Sequence, residues 1–272
     1  MGSAGGEVRE GSPVLFLHGW GVGPLAYTGA VRHLADIGCA VVAPAQPGFG
    51  GTPALGADDT TFPGYARWAA EHLDAGGVRE PVMVVGHSFG GGVALQLAHD
   101  FPELVRGVVL CNAVGGPHRG SIPEYRPMAD RPIWEWGRDL GADLFALSAV
   151  TRVVPAVLGG ALPNLVHNPR AMWRVAHVAR RADLLGQAAA VAARGVPLTI
   201  VWSDRDRLVP HAAFAALCRA AGVRGEVVPG THSWLIADPW RLADVVLRAM
   251  VDAGVVEHAL ARRRSPVAAT VS

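Results

Sequence analysis

The chain has 272 residues, a formal net charge of +1 and 17% charged residues. That length suffices for one large α/β domain with an ample core, and so even a charge balance argues against binding to nucleic acid or to an acidic membrane surface. All 24 basic residues are arginine, which reads as base composition rather than electrostatic design.

Taken in chain order, residues 1–12 are polar and glycine-rich without an apolar run, so no secretory leader is expected. A short strand is expected around residues 7–10. Residues 14–17, 40–43, 82–85, 105–110, 198–202 and 226–228 are short apolar or β-branched runs. Helical patterns at 25–36, 63–75, 91–100, 211–221 and 239–251 separate most of them. Strands alternating with helices, each strand apolar throughout rather than every second residue, predict a mostly parallel, doubly wound α/β sheet covered on both faces.

One interval breaks the alternation. Residues 113–195 show no strand pattern but several helical segments, with Trp134, Trp136, Phe145 and Trp173 among them. A structureless loop of that length is improbable in a compact domain, so a helical insertion is expected. The organisation read here is a core in two parts, 1–112 and 196–253, around an inserted helical cap at 113–195, with a disordered tail at 254–272. The apolar region 149–166 is interrupted by Arg152, Pro155 and Pro163 and is too broken to span a bilayer. Cys39, Cys111 and Cys218 lie far apart, without metal spacing, and are expected to be buried free thiols. There is no His-Glu-x-x-His, no Cys/His cluster and no complete phosphate loop, so neither a metal nor a cofactor is expected. A soluble cytoplasmic protein follows from these features.

The stretch Gly86-His87-Ser88-Phe89-Gly90 sets one serine between two glycines, after an apolar strand and before a helical run. A serine at such a turn takes a strained backbone, and flanking glycines let the chain double back without a Cβ clash. The hydroxyl is then lifted into the open beside the first amides of a helix, where negative charge is favoured. Downstream, Asp204 and Asp206 lie in 203–210 after one strand, and Gly230-Thr231-His232-Ser233-Trp234 follows the next. Upstream, His18-Gly19-Trp20-Gly21 follows the strand at 14–17.

Gly-x-Ser-x-Gly, then Asp, then His, preceded by a His-Gly turn, resembles the α/β-hydrolase family over roughly residues 13–252. The resemblance implies the α/β-hydrolase fold, Ser88 as nucleophile, His232 as base and Asp206 as the acid that orients it. Residues 203–210 match the family's Gly-x-x-Asp-x-x-Val-Pro with Ser203 in place of glycine. Asp206 then takes the acid position and Asp204 caps the loop. Some family members carry the acid after the preceding strand, where this chain has the uncharged Asn112. The resemblance also implies an oxyanion hole made of the backbone amides of Trp20 and Phe89. Trp20, Phe89, Trp134, Trp173 and Trp234 are then candidate substrate contacts. His18 is read as a brace for its loop and Gly48-Phe49-Gly50 as an ordinary turn. His87 is read as structural, with its ring turned away from the serine hydroxyl. The arginine-rich run 174–181 reads as a solvated helix face.

The activity implied is hydrolysis of a small or medium apolar carboxylic ester through an acyl-enzyme. Carbon–carbon bond hydrolysis, lactone opening, perhydrolysis, amide hydrolysis and acyl transfer can run on the same groups, and a ligand-binding receptor with a slow triad is the reading from another class. Within the family it resembles, a serine at this turn disfavours epoxide hydrolysis and dehalogenation, which use an aspartate there. The acyl chain length and the oligomeric state are not legible in the sequence.

Overall fold

A computed structural model describes residues 11–117, 128–132, 135, 138–139, 154–155, 159–161, 164 and 166–255. Strands β1 (Ser12–Leu17), β2 (Cys39–Val42), β3 (Val82–His87), β4 (Val105–Cys111), β5 (Leu198–Ser203) and β6 (Glu226–Val228) form a six-stranded sheet. Their order is β2-β1-β3-β4-β5-β6, and every neighbouring pair is parallel. Each strand falls on a run read from the sequence: β6 matches it residue for residue, β2 is shifted by one residue, and the other four are longer by one or two. The strand expected around 7–10 lies outside the described residues.

The helices are α1 (Thr28–Asp36), entered through a 3-10 turn at Pro24–Tyr27, then α2 (Phe62–Ala75), α3 (Phe89–Asp100) and α4 (Pro169–Arg180). They continue with α5 (Leu185–Ala193), α6 (His211–Ala221), the single turn α7 (Trp234–Ala237) and α8 (Pro239–Asp252). Local chemistry fixes several ends. The Thr61 hydroxyl accepts from the Gly64 amide at 3.2 Å with Pro63 in the first turn of α2. Asp238 does the same for α8, taking the Arg241 amide at 3.2 Å ahead of Pro239. Gly222, with φ of 66°, closes α6 in the left-handed region.

Side chains alternate along each strand, so continuous hydrophobicity serves two cores at once. Leu15, Leu17, Val84, Val108, Leu110 and Ile200 face the layer of α2, α3, α5 and α6. Val14, Phe16, Met83, Val85, Val109 and Val201 face α1 and α8 on the other side, against Leu34, Leu242, Val246 and Met250. Helix α5 falls inside the interval expected to form a cap, yet it packs on α3 and α6. The core layer therefore resumes at Leu185, before residue 195, because Ala188 and Val191 present a small apolar face to α3.

From β1 the chain steps outward to β2, then returns past β1 and builds β3 to β6 in the opposite direction. A crevice opens where the winding direction reverses, at the carboxyl ends of β1 and β3. There Leu17 is in register with Gly86, which sets the turn after β1 beside the turn after β3.

Candidate active site

Ser88 joins β3 directly to α3 with φ of 53° and ψ of −115°. Asn112, just past β4, is the other non-glycine residue with positive φ among the described residues, at 47°. Such conformations cost about 1–3 kcal/mol each and persist only where the surroundings impose them. The surroundings here are specific. The Ser88 amide donates to Cys111 O at 3.0 Å, and its carbonyl accepts from Gly91 N at 3.0 Å and Val114 N at 3.2 Å. A Cβ at Gly90 would run into the carbonyl of Leu17, and one at Gly86 into that of Gly90, so the double glycine pattern is a packing requirement. Phe89 is the first residue of α3, where amides lack partners within the helix.

The loops after β5 and β6 bring a carboxylate and an imidazole together. His232 Nδ1 donates to Asp206 Oδ2 at 2.8 Å, with both side chains buried. Asp206 Oδ1 accepts from the amides of Leu208 at 2.7 Å and Val209 at 3.0 Å, and its Oδ2 also accepts from Asn112 Nδ2. Asn112 Nδ2 reaches Ser203 Oγ at 2.7 Å, while its Oδ1 accepts from Trp234 Nε1 at 2.8 Å. Ser203 in turn donates to Thr231 O at 2.9 Å, beside His232. Asp204 is half exposed and accepts from the Gly230 amide at 2.9 Å, so it ties the two loops together and leaves the imidazole to Asp206.

In the turn after β1, His18 Nδ1 donates to Gly19 O at 2.9 Å and its Nε2 accepts from the Gln46 amide at 3.0 Å. Gln46 Nε2 returns a bond to His18 O at 2.6 Å. Burial pushes the His18 imidazole down to about 4, so it is a neutral brace. The Gly19 amide donates to Tyr27 Oη at 3.2 Å, and Trp20 Nε1 donates to Met172 O on α4 at 2.8 Å.

These turns enclose a cavity of about 290 Å³. Ser88, His232 and Trp20 border it, and the rest of its wall is mostly apolar, from Val22, Met128, Met172, Leu208, Val209 and Ile236. No group of His, Cys, Asp or Glu among the described residues could hold a metal ion. No helix among them is long and apolar enough to cross a membrane.

Residues 12–155 match the family described as alpha/beta hydrolase fold. The chain belongs to that family. It is 28% identical over 252 residues, 90% of each chain, to a Mycobacterium phage D29 protein provisionally named a non-heme haloperoxidase. It is 30% identical over 233 residues, 85% of this chain and 72% of the other, to the pimeloyl-[acyl-carrier protein] methyl ester esterase of Aromatoleum aromaticum. Among solved structures, a thermophilic esterase from Thermogutta terrifontis superposes with a TM-score of 0.69 at 21% identity, covering 89% of this chain and 90% of that one.

Within this alpha/beta-hydrolase frame, the structure brings Ser88, His232 and Trp20 to one cavity and pairs His232 with Asp206. Three of the expected substrate contacts stand apart from this cavity. The Phe89 ring does not border the cavity; it packs between Phe62 and Tyr65, at centroid distances of 5.5 and 4.9 Å. Trp234 is 2% exposed and braces Asn112 instead of forming the wall. Trp173 is 58% exposed, with its ring on His177, and the neighbouring Met172 takes the place at the cavity. Trp134 lies outside the described residues. His87, read as structural, borders the cavity, with its two ring nitrogens bonded to Tyr27 Oη and to the main-chain oxygen of His232. Sequence reasoning missed Tyr27, Met172 and the bracing role of Asn112. The repeat of apolar residues at 172, 175, 176 and 179 was the available signal for the buried face of α4.

Proposed function

We propose that the chain is a serine hydrolase that cleaves small or medium apolar carboxylic esters through an acyl-enzyme on Ser88. The observation that carries this reading is the His232–Asp206 pair at 2.8 Å, set on the same cavity as a strained serine at a helix start. A serine hydroxyl needs a base, and the base needs an orienting acid. With Asp206 holding Nδ1–H, the other ring nitrogen is the acceptor for the hydroxyl proton. Ser88 Oγ attacks the ester carbonyl as His232 takes that proton, and the imidazolium returns it to the departing alkoxide. Water then repeats the sequence on the acyl-enzyme and releases the acid.

The oxyanion falls to the amides of Trp20 and Phe89. Tyr27 already holds the Gly19 amide, which favours Trp20 as the donor from that turn. A volume of about 290 Å³ is at the small end for ligand pockets, and the apolar wall suits an acyl group of modest size without charge. The insertion at 113–195 contributes Met128, Ala161, Met172 and Ala179 to that wall, which supports its role as a roof. The relative named as a methyl ester esterase favours the same reading. Hydrolysis of p-nitrophenyl butyrate tests it: turnover is expected from the parent and is lost in Ser88→Ala, whereas equal rates in both exclude the mechanism.

A further inference from the structure

His87 and Tyr27 are buried polar groups at the cavity that the proposed chemistry leaves without a role. Their bonds form a continuous line. The Gly19 amide donates to Tyr27 Oη at 3.2 Å, Tyr27 Oη lies 2.7 Å from His87 Nδ1, and His87 Nε2 lies 3.0 Å from the main-chain oxygen of His232. The partners fix the protons. A carbonyl only accepts, so Nε2 carries the ring proton, Nδ1 is an acceptor and the Tyr27 hydroxyl donates to it. That hydroxyl keeps a lone pair for Gly19. Each donor and each acceptor in the line is used in its natural sense, so neither nitrogen of His87 is left to carry a proton in catalysis. Burial and the neighbouring His232 hold the His87 ring neutral, well below the usual histidine range.

We infer that Tyr27 and His87 are positioning residues that tie the turn bearing the oxyanion amide to the loop bearing the catalytic base, and so set their separation across Ser88. The line starts one residue before Trp20 and ends on the backbone of His232 itself. It passes through the residue that precedes Ser88. The fit leaves no slack at its first link, since a Cβ on Gly19 would stand 3.0 Å from His87 Nδ1 and 3.2 Å from Tyr27 Oη. The His232 loop keeps other anchors in Ser203 Oγ to Thr231 O and in Asp206, so losing the relay shifts the geometry without unfolding the loop.

This inference rests on the serine-hydrolase reading, and the experiment separates the two. Parent, Tyr27→Phe, His87→Phe and the double variant are assayed on p-nitrophenyl butyrate with kcat and KM resolved, and each is titrated with a fluorophosphonate. Misplacement of a reacting group by about 1 Å lowers rates roughly 10²-fold, so each single variant is expected to lose kcat on that order while KM moves less than about threefold. The double variant is expected to fall no further than the worse single one, because a line is broken only once. Losses that multiply in the double variant, or kcat within about twofold of the parent in Tyr27→Phe, overturn the inference. So does a rise in KM at constant kcat, which is what mere wall residues would give. Should His87→Phe fail to fold, Tyr27→Phe decides alone, since it removes a single oxygen. A parent inert to both ester and fluorophosphonate refutes the underlying serine-hydrolase reading, and the relay's role falls with it.

Discussion

Asp206 and His232 share a 2.8 Å hydrogen bond, while Asp204, two residues earlier on the same loop, gives its carboxylate to the Gly230 amide. Two aspartates in one loop thus have separate tasks, set by which way each side chain leaves the turn. Asp206→Asn would present an amide N–H to His232 or to Asn112, disfavouring the tautomer that accepts the serine proton. The expected loss in kcat is on the order of 10⁴, as for the analogous change in a serine protease. Asp204→Asn keeps an oxygen for Gly230 and should lose about tenfold or less. Steady-state kinetics on the two variants check this; the reverse ranking would name Asp204 as the acid.

Asn112 joins Asp206 to Trp234 and is buried at the end of β4. Asn112→Ala leaves the indole N–H without its partner and removes a donor from Asp206. Leaving a buried donor unsatisfied costs about 1–3 kcal/mol, so the urea midpoint should fall by that equivalent and kcat should fall with it. Asn112→Asp should be worse for activity, because a second carboxylate would face Asp206. An unchanged midpoint in Asn112→Ala would show that the brace bears no weight.

Much of this site was legible because its spacing is covalent. The glycines around Ser88, and the placement of Asp206 and His232 just after apolar runs, follow from how a parallel sheet presents its carboxyl ends. What was not legible depends on which side of a helix a residue takes. His232 stands just before α7, and Ile236 reaches the cavity. Trp234, two positions from Ile236 and so about 200° around the helix, points to Asn112 instead. Trp173 fails for the same reason beside Met172. Tyr27 and His87 meet across 60 residues, and only the pairing of β1 with β3 makes them neighbours.

The cavity wall yields a prediction about acyl chain length. Each methylene buried against it should contribute ~0.8 kcal/mol, roughly fourfold in kcat/KM, until the space is filled. Acetate esters are therefore expected to be poorer substrates than butyrates. Met172→Ala enlarges the space and should move the optimum to longer chains, whereas Trp173→Ala, on the solvent side of the same helix, should leave it in place. A series of p-nitrophenyl esters measures this; an optimum that moves with Trp173 and not with Met172 would contradict the assigned wall.

Stability should decline in mild acid for a reason that lies in the site's braces. His18 is held neutral, with its pKa pushed from 6.5 down to about 4 by burial. The unfolded chain takes up this proton near pH 6.5, so stability is full above that value and is lost progressively until pH reaches the folded pKa. Between pH 7 and pH 5 the His18 contribution is about 2 kcal/mol, and His87, shifted in the same direction, adds to it. Urea midpoints at the two pH values read the effect. A midpoint that rises on acidification would contradict the neutral assignments.

The central claim, that Ser88 is the nucleophile, meets its most direct test in covalent labelling. A fluorophosphonate incubated with the parent protein, followed by proteolysis and mass spectrometry, is expected to place one adduct on the peptide carrying Ser88. The adduct should be absent from Ser88→Ala and strongly slowed in His232→Ala. Modification of another serine, or no adduct on a folded protein, would contradict the account.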